Sequence, residues 1–180
     1  MTGPGLPTGA VATTERLSIR PPRAEDFDAF APFFMSERAA FVGGGTEITL
    51  ARAWRGFASQ LGHWTLRGFG PLVMERLSDG AVIGSVAPWE PIDWPEKERG
   101  WTIWDPASEG RGFAREGAIA VRRHVFEDLG WDTTVSYIDP KNARSIALAE
   151  SLGCLRDDAA ATPGDEPCLV YRHPRPEETR

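Results

Sequence analysis

The sequence predicts a single α/β domain whose sheet is mostly antiparallel, and three observations lead to this fold class. The chain has 180 residues, of which 41% are hydrophobic, which is enough for one domain with its own core and short for two. Apolar runs at 72–77 and 82–86 are separated by Ser-Asp-Gly, the pattern of an antiparallel hairpin. A glycine-rich turn further on leads into a long amphipathic segment, which indicates a helix packed on the sheet.

The first part of the domain is predicted to contain one strand and two helices. Leu17 and Ile19 alternate with polar residues as a strand does, and Pro21 stops this strand. Apolar residues between Phe27 and Phe34 recur at spacings of three and four, which predicts a helix. The same spacing predicts a second helix over 50–61.

After the hairpin, strands and helices alternate. The runs 98–104 and 133–138 predict two further strands. The segments 112–129 and 142–152 predict helices, each followed by a glycine that stops it. A last hairpin is expected to end the sheet, with 168–172 as its second arm.

Both ends of the sequence are rich in residues that bury little surface. We therefore expect a disordered N-terminal segment over 1–13, a single domain over 14–173 and a flexible C-terminal tail over 174–180.

Composition excludes several classes of function. No apolar run reaches the length of a membrane span, and the start lacks a signal pattern, so a cytoplasmic protein without a membrane partner is expected. The net charge of −6 and the lack of a basic run argue against a nucleic-acid partner. Cys154 and Cys168 match neither a zinc spacing nor a redox motif, and the three histidines are scattered, so no metal site is predicted.

The most informative segment is the turn between the strand at 98–104 and the helix at 112–129. Its small residues leave the main chain uncrowded, so that successive backbone N–H groups and the helix N-terminus form a concave site for pyrophosphate oxygens. Arg111 either contacts phosphate or points into solvent. The alternative is that any sharp strand-to-helix turn favours glycine. A Walker phosphate loop is excluded because no lysine follows, and a dinucleotide fingerprint is excluded because it needs a third glycine.

This turn resembles motif A of the GNAT superfamily of N-acetyltransferases, Gln/Arg-x-x-Gly-x-Gly/Ala, with Gly112 and Ala114 in the defining positions. Glu109 stands where Gln or Arg is usual, which puts a side-chain role there in doubt but leaves the backbone cradle unaffected. The run 142–153 is similar to motif B, and the resemblance extends over about 15–171. Further similar residues are Arg16, Leu17, Ile19, Arg20, Asp26, Ile83, Gly84, Glu98, Gly100 and Trp101.

The resemblance implies the GNAT fold. Such a fold has a mixed, mostly antiparallel sheet of six to seven strands, splayed between its fourth and fifth strands and flanked by about four helices. It also implies acetyl-CoA as co-substrate, without a metal, held by the glycine turn and by the strand edge at the gap. The implied cofactor-binding residues are Ile103, Trp104, Asp105, Glu109, Gly110, Arg111, Gly112, Phe113, Ala114, Asn142 and Ser145.

The helix led by Asn142 carries the second group of implied roles. In the family this asparagine supports the pantetheine arm, and an N-cap role is the alternative, although both roles are compatible. Many members carry a tyrosine seven residues later that protonates the departing thiolate, and here that position is Ala149. The pattern is similar to the RimJ/RimL branch, which acetylates protein N-termini or small amines. Ser145 becomes the candidate proton donor, the alternative being a serine exposed in the first turn of the helix.

Transfer to an amine requires a neutral nitrogen and a group that takes its proton. A lysine amine with a pKa near ~10.4 is protonated at neutral pH, whereas an α-amine near ~8 is less so. A carboxylate can act as the base. Glu98 is the favoured candidate and Glu90 the second, and for both the alternative is a solvated carboxylate at a strand end. Asp105 is more typical of a turn residue.

Four of the seven tryptophans cluster between residues 89 and 104. Trp89 and Trp101, together with Glu90, are predicted to bind the acceptor, the alternative for the rings being core packing. The predicted partner is a small-molecule or peptide amine, and a homodimer is left open. The predicted function is N-acetylation by direct attack, without a covalent enzyme intermediate. A non-catalytic CoA-binding sensor of the same fold is the alternative, and a protein-interaction domain is a weaker one.

Overall fold

The computed structural model describes Leu6 and residues 8–176, which build one eight-stranded sheet. The strands are β1 (Ala12–Thr13), β2 (Leu17–Arg20), β3 (Leu72–Arg76), β4 (Val82–Trp89), β5 (Glu98–Ile103), β6 (Val135–Ile138), β7 (Leu155–Arg156) and β8 (Leu169–Arg172). They pair in the order β1-β2-β3-β4-β5-β6-β8-β7. All pairs of these described strands are antiparallel except β5 with β6, so the predicted mixed, mostly antiparallel sheet is confirmed.

Four α-helices flank the described sheet. They are α1 (Phe27–Phe34), α2 (Leu50–Arg67), α3 (Phe113–Arg123) and α4 (Ala143–Ser151), with a π-helical turn (His124–Asp128) extending α3 and short 3-10 turns at Ala24–Asp26, Glu37–Val42 and Pro106–Ser108. The Thr49 hydroxyl accepts the Arg52 N–H at the start of α2. This helix continues past the predicted end at residue 61 because its stop is Gly68, whose φ of 78° is the left-handed conformation that glycine adopts readily.

The gap in the sheet lies between β5 and β6. These strands are registered at a single pair, Glu98 with Val135, and the two strands diverge beyond it. The predicted parting of the fourth and fifth strands is therefore present. These strands are numbered β5 and β6 here because β1 is an additional strand at the start of the chain. The split opens the middle of the sheet toward the end of β5 and the start of α3.

The number of strands differs from the predicted six to seven because β1 and β7 have two residues each. A strand of two residues is too short to show an alternating pattern in the sequence. Ala12 pairs with Ile19, so order begins inside the segment that the sequence assigns to a disordered end. Arg175 of the predicted tail donates to the Asp132 carbonyl at 3.2 Å. The rest of both predicted ends, residues 1–5, 7 and 177–180, lies outside the described residues.

Close packing fixes α3 against the sheet. A Cβ added to Gly117 would lie 2.5 Å from the Met74 sulfur and 3.0 Å from a Val86 methyl carbon. Glycine therefore lets the helix axis approach β3 and β4 closely. This contact sets the position of the α3 N-terminus at the end of β5, next to the gap.

Two searches of the described residues were negative. None of their helices is long and apolar enough to cross a membrane. Nor do they contain a group of three or more His, Cys, Asp or Glu side chains placed to hold a metal ion.

Candidate active site

A cavity of about 540 Å³ lies where β5 and β6 diverge. Residues of β4, β5, β6, α1, α2, the turn Glu37–Val42 and the start of α4 contribute to its lining. Six of the residues predicted for the site lie in this lining: Glu98, Ser145, Asn142, Trp89, Trp101 and Trp104. The others, Glu90, Ile103, Asp105 and the six residues of the glycine turn, lie outside the described lining.

Glu98 has the environment of a general base. Desolvation by burial raises the pKa of its carboxyl from 4.5 to about 7, although hydrogen bonds from Trp94 and the Tyr137 backbone favour the ionised form. The Trp94 indole N–H donates to Glu98 Oε2 at 2.6 Å, which fixes the carboxyl orientation. A base with a pKa near the working pH combines a useful ionised fraction with the ability to take a proton. The group is therefore poised for proton transfer at neutral pH.

Glu90, the second candidate base, faces a different environment. Its carboxylate lies 3.9 Å from the Arg67 guanidinium. Its backbone N–H donates to His63 Nε2 at 3.0 Å, and the His63 ring stacks on Trp89 at 4.4 Å between centroids. Glu90 thus holds the end of β4, which carries Trp89, whereas Glu98 is the candidate base that lines the cavity.

Asn142 and Ser145 meet at the start of α4. Asn142 Oδ1 accepts the Ser145 backbone N–H at 3.2 Å, so the N-cap role is present. Both residues also line the cavity, which keeps the pantetheine role compatible with the cap. Ala149 is fully buried in a core cluster with Ala118 and Ile138, and so the position of the family tyrosine is a packing position here.

The glycine turn has the geometry that a diphosphate cradle requires. Gly110 and Gly112 have φ values of 69° and 81°, which side chains rarely allow. A Cβ at Gly110 would meet no atom within 4 Å, and the nearest atom to one at Gly112 is Arg16 Nη2 at 3.6 Å. Gly112 is the N-cap of α3 and has no side chain to accept from the first backbone N–H groups of the helix, which leaves them available for an anion. The turn therefore fits the pyrophosphate of CoA.

Glu109 takes part in a charge cluster at the outer end of the gap. Its carboxylate lies 2.7 Å from Arg38 Nε and 2.8 Å from Arg144 Nη1. Burial alone would raise the pKa of Glu109, but the two guanidinium groups outweigh this effect and lower the pKa. Arg38 also donates to the carbonyls of Ile103 and Trp104, at 2.7 and 2.9 Å. The unusual glutamate thus joins the turn after α1 to α4 across the gap.

Asp105 has the turn role that its sequence context favours. Its carboxylate accepts the Ala107 N–H at 3.0 Å and the Ser108 hydroxyl at 2.6 Å. These bonds cap the 3-10 turn between β5 and the glycine turn. Asp105 therefore shapes the connection that delivers the cradle.

A closed loop of buried hydrogen bonds joins β5, β6 and the residue after β8. Arg99, which is fully buried, contacts His173 Nδ1 through Nη2. Because a guanidinium only donates, Nδ1 accepts and Nε2 carries the proton. His173 Nε2 lies 2.8 Å from Ser136 Oγ, and this hydroxyl donates to the Arg99 carbonyl at 2.5 Å. Burial, with the nearby Arg99 charge, lowers the pKa of His173 well below its ordinary value, so the ring stays neutral and the loop persists at neutral pH.

Several lining residues were not assigned to the site from the sequence. Phe33, Phe34, Phe41 and Val42 line the cavity from α1 and the turn after it. Their signal in the sequence was a helical apolar stripe, which is the pattern of core packing as well. Arg38 carried no signal, because its contacts with β5 arise only when the turn folds over the strand.

Comparison with known proteins agrees with this geometry. Residues 16–155 match the family described as acetyltransferase (GNAT) domain. The structure is similar to that of an acetyltransferase from Agrobacterium tumefaciens str. C58, with 38% identity, a TM-score of 0.83, and coverage of 91% of this chain and 94% of that chain.

Two more distant structures share the fold. Spermidine N-acetyltransferase from Vibrio cholerae, in complex with CoA and spermine, has 16% identity, a TM-score of 0.68, and coverage of 88% of this chain and 94% of that chain. Ribosomal-protein-S5-alanine acetyltransferase from Vibrio fischeri has 15% identity, a TM-score of 0.66, and coverage of 94% and 98%.

Proposed function

This chain belongs to the GNAT acetyltransferase family, and from that premise we propose that it acetylates a primary amine with Glu98 as base and Ser145 as proton donor. It is an acetyl-CoA-dependent enzyme, and the amine belongs either to a small molecule or to a protein N-terminus. The observation that carries the proposal is the placement of Glu98, with its pKa raised to about 7, in the cavity at the split of the sheet.

The residues that would hold CoA lie along one path. The backbone of 110–114 and the N-terminus of α3 would bind the pyrophosphate. The edge of β5 and the Asn142 amide would hold the pantetheine arm inside the gap. Arg38 and Arg144 lie beside the glycine turn, where each forms an ion pair with Glu109.

Acetyl-CoA supplies the acetyl group as a thioester, so one carbon–nitrogen bond replaces one carbon–sulfur bond and CoA leaves as a thiol. The Glu98 carboxylate takes the proton that the amine nitrogen loses and passes it to solvent. The Ser145 hydroxyl gives a proton to the sulfur and recovers one from solvent. No described residue of the lining is a cysteine, which supports direct transfer to the amine rather than an acyl-cysteine route.

The acceptors of the distant relatives, spermidine and a ribosomal-protein alanine by their names, are candidates here too. Membership of the RimJ/RimL-like branch is part of this proposal, supported by Ser145 and Ala149. The cytoplasmic location and the lack of nucleic-acid and membrane partners stay predictions. Whether the protein forms a homodimer is left open.

Incubation with acetyl-CoA and a panel of amines tests the proposed function. We expect the release of CoA thiol to depend on the amine. The acetylated product should be heavier than the amine by about 42 mass units, the mass of the added C₂H₂O. Single-turnover analysis should find no acetyl group on the protein itself. Tight CoA binding without turnover of any amine would instead favour the CoA sensor.

Ser145→Ala tests the proton donor. We expect a loss of about 10-fold or more in kcat with an unchanged KM for acetyl-CoA, because the hydroxyl acts on the leaving sulfur. Ser151→Ala is the matched control on the same helix, since Ser151 is exposed and its hydroxyl donates to the Leu148 carbonyl. Equal activity of the two variants would remove Ser145 from the mechanism.

A further inference from the structure

Aromatic rings line the end of the cavity that α1, the turn after it, β4 and β5 form. Six of these rings are Phe33, Phe34, Phe41, Trp89, Trp94 and Trp104. Trp94 lies in the loop between β4 and β5, and Trp104 directly follows β5. Ser145 and Asn142 mark the donor end, so the ring-lined end is the space that remains for the acceptor. Rings of this kind bind apolar or aromatic groups by contact area.

The charge of the lining limits how many positive charges a bound acceptor can have. The described lining contains no Lys, Arg or His, and its carboxylates are Glu98 and Asp139. Asp139 Oδ1 accepts the Lys141 N–H at 2.7 Å in the turn after β6, at the donor end. Glu98 is therefore the acid that faces the acceptor end. One ammonium group finds a partner there, and a second cation would be desolvated without one.

The rim of the cavity continues the apolar surface. Phe41 and Val42 line the cavity and are each 47% exposed. Side chains that are partly in solvent and partly in the lining form an entrance. An incoming ring or branched side chain buries their apolar area, whereas a hydrated polar chain gains nothing from it.

From these three observations we propose that the acceptor is a primary amine attached to an aromatic or branched apolar group that carries no second cation. This inference rests on the proposed acetyl transfer and names its substrate class. The same chemistry is offered by a free arylalkylamine and by a peptide whose first residue is large and apolar. A polyamine, or an N-terminus beginning with a small polar residue, lacks it.

The test compares four acceptors at equal concentration with acetyl-CoA: 2-phenylethylamine, a neutral tetrapeptide beginning with Phe, a matched tetrapeptide beginning with Ser, and spermidine. We expect kcat/KM for one of the first two to exceed both of the others by about 10-fold or more, since an apolar pocket discriminates on this scale. The faster of the first two acceptors shows whether the acceptor is a free arylalkylamine or a peptide N-terminus. A faster reaction with spermidine or the Ser peptide overturns the substrate class and leaves the acetyltransferase proposal intact. Turnover of none of the four, with CoA bound, overturns the substrate class, and the wider amine panel then decides the acetyltransferase proposal.

Variants at the rim supply a second readout. Phe41→Ala should lower kcat/KM for the preferred apolar acceptor about 5-fold or more, and leave the KM for acetyl-CoA and the rate with spermidine unchanged. Leu66→Ala is the control, since Leu66 is a large apolar side chain that is 84% exposed and lies outside the described lining. An equal loss with every acceptor in Phe41→Ala would show that the ring does not select the acceptor.

Discussion

Replacing Glu98 with Gln is expected to lower kcat/KM for the amine by about 10²- to 10³-fold, with CoA affinity unchanged. The amide keeps the shape of the side chain and an acceptor for the Trp94 indole but cannot take a proton. In the parent enzyme, kcat/KM should rise with pH through an apparent pKa of about 7, as Glu98 loses its proton. The variant should lack this limb of the profile. Initial rates from pH 5.5 to 8.5 measure both effects.

The same substitution should stabilise the fold. The carboxyl has a raised pKa in the native state, from 4.5 to about 7, so the native state binds more protons than the unfolded state across this window. The free energy of unfolding therefore falls as pH rises from about 4.5 to 7, and the loss is complete above 7. A glutamine has no proton to lose. We expect Glu98→Gln to be more stable than the parent by about 2–3 kcal/mol at pH 8, and by little at pH 4.5.

Glu90→Gln provides the comparison for both readouts. Glu90 lies outside the described lining, next to Arg67, and the substitution should change kcat/KM less than about 2-fold. Denaturant unfolding at the two pH values measures stability. A Glu98→Gln enzyme that stays active and keeps its pH limb would rule Glu98 out as the base.

Replacing Gly112 with Val is expected to weaken CoA binding about 10- to 100-fold. The φ of 81° is strained for a β-branched residue, at a cost of roughly 1–3 kcal/mol. A steric clash does not cause the expected loss of affinity, because the nearest atom to the added Cβ is 3.6 Å away. Relief of the strain rotates the peptide units of the turn and redirects the N–H groups that would bind the pyrophosphate. Isothermal titration with CoA measures the loss.

Gly80→Val separates cofactor binding from stability. Gly80 has a φ of 71° in the turn between β3 and β4, and an added Cβ there would meet nothing within 4 Å. Both variants carry similar backbone strain, so their melting temperatures should fall by similar amounts. CoA affinity should fall in the Gly112 variant alone. Parent-like affinity in a folded Gly112→Val protein would contradict the cradle.

Local chemistry explains which parts of the fold and site the sequence could predict. The strand, glycine turn and helix form from neighbouring residues, and their order was predicted correctly. Strand ends and helix caps such as Asn142 were readable for the same reason. The two-residue strands were missed because their pairing partners, not their own pattern, define them.

The acceptor end of the cavity required tertiary information. Phe41 reaches the lining because the turn after α1 folds over β5, where Arg38 donates to the Ile103 and Trp104 carbonyls. Glu109 looked like a departure from the family pattern, and its partners Arg38 and Arg144 lie 71 and 35 residues away along the chain. No local pattern encodes such contacts.

The buried loop of Arg99, His173 and Ser136 has a consequence for the order of folding. Arg99 is separated from Ser136 by 37 residues and from His173 by 74. Contacts of such high sequence separation form slowly, because loop closure precedes any stabilisation they give. During synthesis, Arg99 emerges long before the imidazole that accepts from it. We therefore expect the first strands to pair early, while the catalytic gap takes its final shape only after the last strand of the sheet has docked.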